Sequence, residues 1–466
     1  MFGDDPTGRR SGSSASASTG SVKSETPPRT SALAPGGREA VVARALDAAE
    51  ALFAARGPEQ VSVRDIAAAT GVSHALLHRY LGGKHDIVAA VFAKHAGLIQ
   101  ETGAGSRDLR VLTGRLARHG LTYRRQYLRL IVRAAMDGVP YEISTDQFPG
   151  MRELARLAAL QAEKGSGGAW YPGIDPRFLI AALGAMYLGW AALDEVLLEA
   201  AGIAEMSAGD ALGELIQATD ALLLVALPWD EEPRRPSAQV HLGASATPRP
   251  ARAGSTAEDP VLGVVDQGRG PRGGGEAVKA RVLEAAEELF TARGPHRVSV
   301  RDIAARAGVS HALVHRYLGS KDDILARVIL SNEQRFVAAA SGAASVQEAA
   351  LLMLRDDQRV GRAYMGLVVR VVLDGLPVEA ARGSFPAMRR LVELAQAQAA
   401  RAASPAPFPG VAPAFAVAAV VALALGWVTA GDWLVRMVGL DEWDRASGEQ
   451  QLHRVIDCLL TALVPE

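Results

Sequence analysis

The sequence predicts an all-α protein built from two tandem copies of one helical unit. Along nearly every long segment, apolar residues recur three or four positions apart, which is the spacing of one helix face. No run alternates between polar and apolar residues for long enough to indicate a sheet. The chain also repeats itself at a constant offset of 237 residues, and a repeat of this kind usually determines the architecture.

The repeat covers most of the chain. The string GVSHALLHRYLGGK at 71–84 returns as GVSHALVHRYLGSK at 308–321, and the register between the copies never slips. We therefore place copy one at about 38–229 and copy two at about 275–466.

The residues outside the two copies differ in composition. Residues 1–37 are rich in Ser, Gly, Thr and Pro, and residues 230–274 are rich in Pro, Gly and Arg. Both segments are predicted to be disordered, the first as a tail and the second as a flexible linker. A flexible linker of about 45 residues has an average reach of roughly 35 to 40 Å, so it can hold the two copies side by side without strain.

The overall composition excludes several classes of protein. A chain of 466 residues exceeds what one hydrophobic core usually supports, and 49% apolar residues with a net charge of −1 fit neither whole-chain disorder nor a polycation. The single Cys458 cannot form an internal disulfide, and residues 1–37 lack the apolar segment of a secretory signal. A reducing cytoplasm is the expected location.

One apolar stretch raises the question of a membrane span. Residues Val411 to Gly431 carry no charge, which is about the length that crosses a bilayer. Pro413 near its start and Asp432 directly after it argue against a span. We expect a buried interface helix here and no membrane association.

The first helix of each copy is predicted by an apolar stripe and by a stop signal. Gly57 with Pro58, and Gly294 with Pro295, end these helices in the usual C-terminal manner. Later segments such as Leu121 to Met136 and Phe178 to Leu198 also have a helical pattern. The stripe positions are Val42, Leu46, Ala49, Leu52 and Phe53 in copy one, and Val282, Ala286, Leu289 and Phe290 in copy two.

Two short helices joined by a tight turn are predicted in SVRDIAAATGVSHALLHRYL, residues 62–81. Ser62 can cap the first helix, whose inward residues are Ile66 and Ala67. Gly71 permits the turn, and Ser73 caps the second helix. This is a helix-turn-helix pattern, in which the second helix enters the DNA major groove while the first crosses the backbone.

The side chains expected to contact DNA lie on or beside the second helix. A small alanine lets the helix approach closely, while imidazole, guanidinium and phenol groups supply donors and aromatic surface. A lysine in the turn before the next helix is placed to meet a phosphate. With the caps, the candidates are Ser62, Ser73, His74, Ala75, His78, Arg79, Tyr80 and Lys84 in copy one, and Ser299, Arg306, Ser310, His311, Ala312, His315, Arg316, Tyr317 and Lys321 in copy two.

The two motifs are nearly identical. Arg306 in copy two is expected to add one phosphate contact. None of the differing positions is expected to reach bases, so both halves should prefer nearly the same bases and the operator should be an inverted repeat. Between Val61 and Lys84 the differences are Ala69 to Arg306, Thr70 to Ala307, Leu77 to Val314 and Gly83 to Ser320.

These residues resemble the TetR (tetracycline-repressor) family of one-component bacterial regulators. The likeness rests on VRDIA, on GVS, on the His-Arg-Tyr end of the second helix, and on Lys84 and Lys321 with the Asp-Ile pair that follows each. It implies a three-helix DNA-binding domain followed by a helical regulatory domain that binds a small-molecule effector. LGWAALDEVLLEAAGI and LGWVTAGDWLVRMVGL look like the family's helix that packs against a partner in a four-helix interface. Repression is the commoner outcome in this family.

The repeat and the resemblance together predict six parts. They are a disordered tail (1–37), a helix-turn-helix domain (38–98), a helical regulatory domain (99–229), a flexible linker (230–274), a second helix-turn-helix domain (275–335) and a second regulatory domain (336–466).

Two ways of pairing the copies follow from the sequence. A single helix-turn-helix usually binds as half of a dimer, because recognition helices about 34 to 36 Å apart reach successive major grooves. The linker favours a pseudo-dimer within one chain. In the alternative, each copy pairs with its counterpart on another chain and the homodimer presents four motifs.

The regulatory parts supply candidate ligand contacts. Such a pocket combines apolar helices with a few polar groups. Because the regulatory parts have diverged more than the motifs, we expect the two pockets to differ, with the effector binding in only one of them. For each single residue an ordinary core role is the competing interpretation. The candidates are Tyr123, Tyr127, Arg133, Met136, Trp170, Tyr171, Tyr187 and Trp190 in copy one, and Arg370 and Trp427 in copy two.

Other functions are less well supported by the sequence. His74 and His78 have metal-ligand spacing, but no third ligand follows nearby, so neither a metal nor a cofactor is expected. His78 packed against the first helix, and Arg79 and Lys84 as solvated surface, are the plainer alternatives. No phosphate loop and no GxSxG is present, so an enzyme is not expected. A protein that keeps the fold for interaction or ligand sensing but no longer binds DNA by itself is the remaining alternative.

Overall fold

The computed structural model describes residues 37–103, 106–137, 149–164, 169, 171–229, 274–354, 359–376, 385–408, 410–440 and 442–465. Every regular element within these ranges is a helix, as the sequence predicts. The predicted tail and linker lie outside the described residues, apart from Gly37 and Gly274, which begin helices.

Within the described residues each copy contains nine α-helices, and the two sets follow the same order. Copy one contains α1 (Gly37–Arg56), α2 (Val63–Thr70), α3 (His74–Leu81), α4 (Lys84–Gly103), α5 (Leu109–Tyr123), α6 (Arg125–Met136), α7 (Pro149–Lys164), α8 (Pro176–Ala200) and α9 (Ala208–Ala226). Copy two contains α10 (Gly274–Arg293), α11 (Val300–Ala307), α12 (His311–Leu318), α13 (Lys321–Ala339), α14 (Val346–Leu354), α15 (Arg359–Leu373), α16 (Pro386–Arg401), α17 (Pro413–Met437) and α18 (Arg445–Leu463).

The first three helices of copy one enclose a small core. Phe53 of α1, Ile66 of α2 and Leu77 of α3 are fully buried, together with Ile87 of α4. The buried face of α1 runs through Val41 and Ala45, one position before the predicted Val42 and Leu46, which are only half-buried. In copy two, all four predicted stripe residues of α10 are buried.

The helical pattern predicted over Leu121 to Met136 is interrupted. Helix α5 ends at Tyr123, α6 begins at Arg125, and Arg124 between them has φ −126° and ψ 20°. The segment is helical as predicted, but it is divided between two helices, and the apolar spacing does not reveal the break. The second predicted segment, Phe178 to Leu198, lies within α8 as expected.

Helices α8 and α17 cross each other and join the two copies. Gly189 of α8 lies against the backbone of Ala422, and Gly426 of α17 lies against the backbone of Ala185, so a Cβ at either glycine would overlap a carbonyl oxygen. Around this crossing the Trp190 ring lies 5.0 Å from the ring of Phe415. Small residues at the crossing are what allow two helix backbones to approach so closely.

These two helices are also long and apolar enough to span a membrane. Their most apolar windows are 72% buried in Pro176–Ala200 and 83% buried in Pro413–Met437, inside the protein itself. Burial against the rest of the fold accounts for their apolar composition without a bilayer.

Candidate nucleic-acid interface and regulatory cavities

The helix-turn-helix of each copy is shaped by local capping. The Ser62 hydroxyl accepts a hydrogen bond from the Asp65 backbone N–H at 3.2 Å, and the Asp65 carboxylate accepts one from the Ser62 N–H at 2.8 Å. This capping box starts α2, and Gly71 in the left-handed region at φ 67° ends it. Ser73 then caps α3 through the Leu76 N–H.

The same construction recurs in copy two. Ser299 and Asp302 form the capping box of α11, Gly308 at φ 65° makes the turn, and Ser310 caps α12. The four predicted serines therefore hold the helix ends, and their hydroxyls are engaged in the caps. Hydrogen bonding to Ser62 and to Ser299 lowers the pKa of Asp65 and of Asp302.

The second helix of each motif buries one face and exposes the other. Leu77 is fully buried, while His74, Ala75, His78 and Arg79 are exposed. The burial pattern is repeated in copy two, where Val314 is buried and His311, Ala312, His315 and Arg316 are exposed. The structure thus brings these predicted side chains of each copy onto one solvent-facing surface, and His78 is among the exposed ones.

The two tyrosines at the end of these helices are half-buried. The Arg38 guanidinium lies over the Tyr80 ring, 5.4 Å from its centroid. In copy two it is Arg316, the preceding residue, that lies near the Tyr317 ring at 6.0 Å. These contacts fix the aromatic rings beside the exposed surface.

The three cations predicted to contact phosphates, Lys84, Lys321 and Arg306, each already interact with another residue of the protein. Lys84 Nζ donates to the Glu59 carbonyl at 3.3 Å, and Lys321 Nζ donates to the Pro295 carbonyl at 3.1 Å. A lysine ammonium has three donors, so one such bond leaves capacity for a phosphate. Arg306 forms an ion pair with Glu288 at 2.6 Å, which a phosphate would have to replace.

The histidine pairs lie close to each other on the helix surface. Ring centroids are 6.3 Å apart for His74 and His78 and 4.6 Å apart for His311 and His315. Over the part of the chain that the structure describes, no group of three His, Cys, Asp or Glu side chains is placed to hold a metal ion.

The regulatory part of copy one encloses an apolar cavity. Its empty space, partly open to solvent, is about 1010 Å³. Tyr127 and Tyr187 line it, as do His95, His119 and Arg124. The Tyr187 hydroxyl pairs with Thr219 at 2.6 Å, and burial raises the pKa of Tyr187.

The other ligand candidates of copy one lie elsewhere or are not described. Tyr123 is 73% exposed beside a separate open groove, and Trp190 packs in the α8–α17 crossing. The Tyr171 hydroxyl donates to Asp457 of copy two. Trp170 lies outside the described residues.

Two arginine candidates connect the copies near the helix-turn-helix domains. Arg133 donates from Nε to the Ala54 carbonyl of α1 at 2.8 Å, and from Nη1 to Asp374 of copy two at 2.7 Å. Arg370 donates to the Met136 carbonyl at 3.1 Å. The three candidates Arg133, Met136 and Arg370 therefore lie at the same junction. The junction links each regulatory part to the other copy, and through Arg133 it contacts α1, the helix that precedes the first motif.

The environment of Tyr127 depends on two residues that the sequence analysis did not single out. The His95 ring stacks on the Tyr127 ring at 4.0 Å, and His95 Nε2 lies 2.9 Å from the Glu50 carboxylate. The Tyr127 hydroxyl is buried with no hydrogen-bond partner among the described residues. Burial raises its pKa well above the ordinary value. A histidine on the buried face of α4 is the sequence signal that could have indicated this site.

Copy two has a smaller apolar cavity with different polar groups. Its empty space is about 780 Å³, and Tyr364 and Glu333 lie in its wall. The Tyr364 hydroxyl donates to Glu333 Oε1 at 2.7 Å, and the Ala387 N–H donates to Glu333 Oε2 at 3.0 Å. Trp427 is not among the lining residues and packs against Phe178 with ring centroids 4.7 Å apart.

Glu333 should make the stability of the protein depend on pH. Burial raises the pKa of its carboxyl above the ordinary 4.5. Above pH 4.5 the unfolded chain therefore holds fewer protons at this site than the folded protein, so this group's contribution to stability falls as pH rises toward the folded pKa. Each unit of pKa difference corresponds to about 1.4 kcal/mol.

We expect the stability difference between the wild type and Glu333→Gln to shift in favour of the variant from pH 4.5 to pH 8. Urea unfolding at several pH values measures it. The exposed Glu205→Gln serves as control and should run parallel to the wild type. Parallel curves for Glu333→Gln as well would contradict the assignment.

Comparisons with known proteins agree with this geometry. The family model described as bacterial regulatory proteins, tetR family, matches twice, at residues 45–91 and 282–328, and these ranges contain the two helix-turn-helix motifs. An HTH-type transcriptional regulator of Mycobacterium bovis is 34% identical over 178 residues, which cover 38% of this chain and 86% of that relative. An HTH-type transcriptional repressor of Mycobacterium tuberculosis shows the same identity and coverage.

The matched length is close to that of one copy, and the family model is found in both. The relatives are named as transcription regulators, a class that is generally not enzymatic. The chain belongs to the TetR family of DNA-binding transcriptional regulators, with two TetR units in tandem.

Proposed function

We propose that the protein is a ligand-responsive repressor that reads an inverted-repeat operator with two helix-turn-helix motifs on one chain. The observation that carries this proposal is the exposed surface of α3 and its copy on α12, each with two histidines, an alanine and an arginine. One of the relatives is itself named a repressor. DNA reading is assigned to 38–98 and 275–335, sensing to 99–229 and 336–466, and the location to the cytoplasm.

The response to ligand is supported by the position of α6. This helix carries Tyr127 at the cavity and Arg133 at the junction with α1. A ligand that shifts α6 would therefore act on the attachment of the first motif and, through Asp374, on copy two. Such coupling requires that the ligand binds the two arrangements with different affinity.

Pairing of copy one with copy two is supported by contacts that a pair of identical copies would weaken or lose. Glu214 accepts a hydrogen bond from the Ala412 N–H at 3.1 Å, and Gln451, its counterpart, accepts one from the Asp175 N–H at 2.9 Å. If copy one paired with itself, the Glu214 carboxylate would face Asp175, a second carboxylate that caps α8. Repulsion between these two carboxylates disfavours that pairing.

A hydrogen bond between the copies also disfavours a pair of two second copies. Tyr171 donates to Asp457, but the position equivalent to Tyr171 is Phe408, which has no hydroxyl. A pair of two second copies would therefore leave Asp457 without this donor. Both contacts favour a pair of unlike copies, and the predicted linker between them favours a pair within one chain.

Selection of bound DNA from a random pool by the full chain tests the proposed function. We expect two related half-sites in inverted orientation, about one helical turn apart. Two unrelated half-sequences would contradict the inverted repeat, and the absence of any enriched sequence would favour a protein that no longer binds DNA by itself. In sedimentation, the pseudo-dimer predicts a mass of one chain, 48.9 kDa, whereas a homodimer would show twice that mass.

A further inference from the structure

We propose that the cavity of copy one binds an apolar molecule carrying one carboxylate, and that the cavity of copy two does not bind it, so that one chain takes up one effector. The inference rests on the proposed ligand response and adds the chemical class and the stoichiometry of the ligand. Five features of the two cavities support it.

The walls of both cavities are apolar, and each wall is completed by the other copy. Leu434 and Met437 of α17 close the cavity of copy one, while Leu193 and Leu197 of α8 close the cavity of copy two. The body of any ligand must therefore be apolar, since burial of an unpaired polar body in such a space is unfavourable.

The two walls differ in the ionisable side chains that line them. In copy one, Arg124 lines the cavity together with His95 and His119, and no carboxylate from the part of the chain that the structure describes does so. In copy two, Glu333 lines the cavity, and among the described residues no Lys, Arg or His does so. An anionic group is thus favoured in the first cavity and disfavoured in the second.

Arg124 is the cation best placed to meet a carboxylate. Its Nε lies 3.5 Å from His119 Nε2, and both side chains are half-buried in the break between α5 and α6. Burial and the charge of Arg124 lower the pKa of His119, so the positive charge of this pair resides on the guanidinium. A guanidinium can bind a carboxylate through two parallel hydrogen bonds.

The carboxylate of Glu50, which lies behind His95, is paired with Lys94. Glu50 does not line the cavity, and its carboxylate lies 3.2 Å from Lys94 Nζ and 2.9 Å from His95 Nε2. It therefore offers little repulsion to an anion in the cavity.

The two equivalent tyrosines differ in what they can still bind. The Tyr127 hydroxyl is buried without a partner among the described residues, whereas the Tyr364 hydroxyl is bonded to Glu333. Position 96, the counterpart of Glu333, is alanine in copy one. A buried hydroxyl without a partner is unfavourable, and a ligand oxygen would satisfy it in copy one only.

Calorimetric titration of the full chain, without DNA, tests the inference. The probes are octanoate and 4-butylbenzoate, with 1-octanol and 4-butylbenzyl alcohol as matched neutral compounds. We expect one site per chain for at least one acid, and at least about tenfold weaker binding of its alcohol, because a charge-assisted hydrogen bond is lost. Binding of neither acid, two equal sites, or equal affinity of acid and alcohol would overturn the proposal.

Matched variants locate the site. Tyr127→Phe should weaken binding of the acid severalfold, while Tyr364→Phe should leave it unchanged. Arg124→Gln should remove the preference for the acid over the alcohol, whereas Arg115→Gln, on the exposed surface, should keep it. Far-ultraviolet circular dichroism confirms that each variant is folded. Weakening by Tyr364→Phe alone would place the site in copy two and overturn the proposal.

Operator binding separates this inference from the proposed function. It is measured without any probe, so a chain that binds its operator but neither acid would disprove the ligand class alone. A chain that binds an acid but no DNA would disprove the proposed function alone.

Discussion

A glutamate in place of Ala75 should lower operator affinity by about 100-fold or more. The side chain is exposed in the first turn of α3, where a carboxylate would meet the negative surface of DNA. The helix itself should not weaken, because an acidic residue in the first turn is favourable there. The loss is large because one motif bound alone forfeits the gain from joining two sites, which is commonly 10²- to 10⁴-fold.

Ala312→Glu in copy two should cause a loss of similar size, because its surface carries the same residue types. Fluorescence anisotropy with labelled operator at fixed salt concentration measures both. Ala208→Glu is the matched control, since it adds the same charge to the exposed first turn of α9 in the regulatory part. Full affinity in either motif variant would mean that the altered copy does not read the operator.

An alanine in place of Gly189 should destabilise the protein by about 1 to 3 kcal/mol, the usual range for overpacking a close contact. The new Cβ would overlap the Ala422 carbonyl oxygen, so α8 and α17 would have to separate. Gly426→Ala should act in the same way against Ala185. Both should also weaken operator binding, because the spacing of the two motifs depends on this crossing.

Gly366→Ala provides a control with the opposite sign. Gly366 lies within α15 and has no heavy atom within 4 Å of an added Cβ. Replacing it should stabilise the protein by about 0.5 to 1 kcal/mol, because glycine within a helix is unfavourable by that amount relative to alanine. Urea unfolding compares the three variants, and a stabilised Gly189→Ala would contradict the close crossing.

The helix-turn-helix could be predicted from the sequence almost residue by residue. Ser62, Gly71 and Ser73 act on backbone groups within a few positions of themselves, so their effect is encoded locally. The buried Ile66 and Leu77 follow from the same local periodicity. Val72, which follows the turn glycine, is half-buried.

The regulatory part was predicted less well. The break at Arg124 does not interrupt the apolar spacing, so the pattern alone does not reveal it. The contacts of Arg133 with Ala54 and Asp374 join residues far apart in the chain, and no local rule relates them. The role of His95 beside Tyr127 likewise depends on two helices meeting.

The sequence by itself determined the helical class, the two copies, the capped motifs and the family resemblance, because each of these rests on short-range spacing or on the direct repeat. The tertiary structure decided which equivalent residues have equivalent surroundings. Tyr127 and Tyr364 occupy the same place in the repeat, yet one hydroxyl is unpartnered among the described residues and the other binds Glu333. Packing against residues distant in the chain creates this difference, and hydrogen bonding and burial then set the charge each cavity can accept.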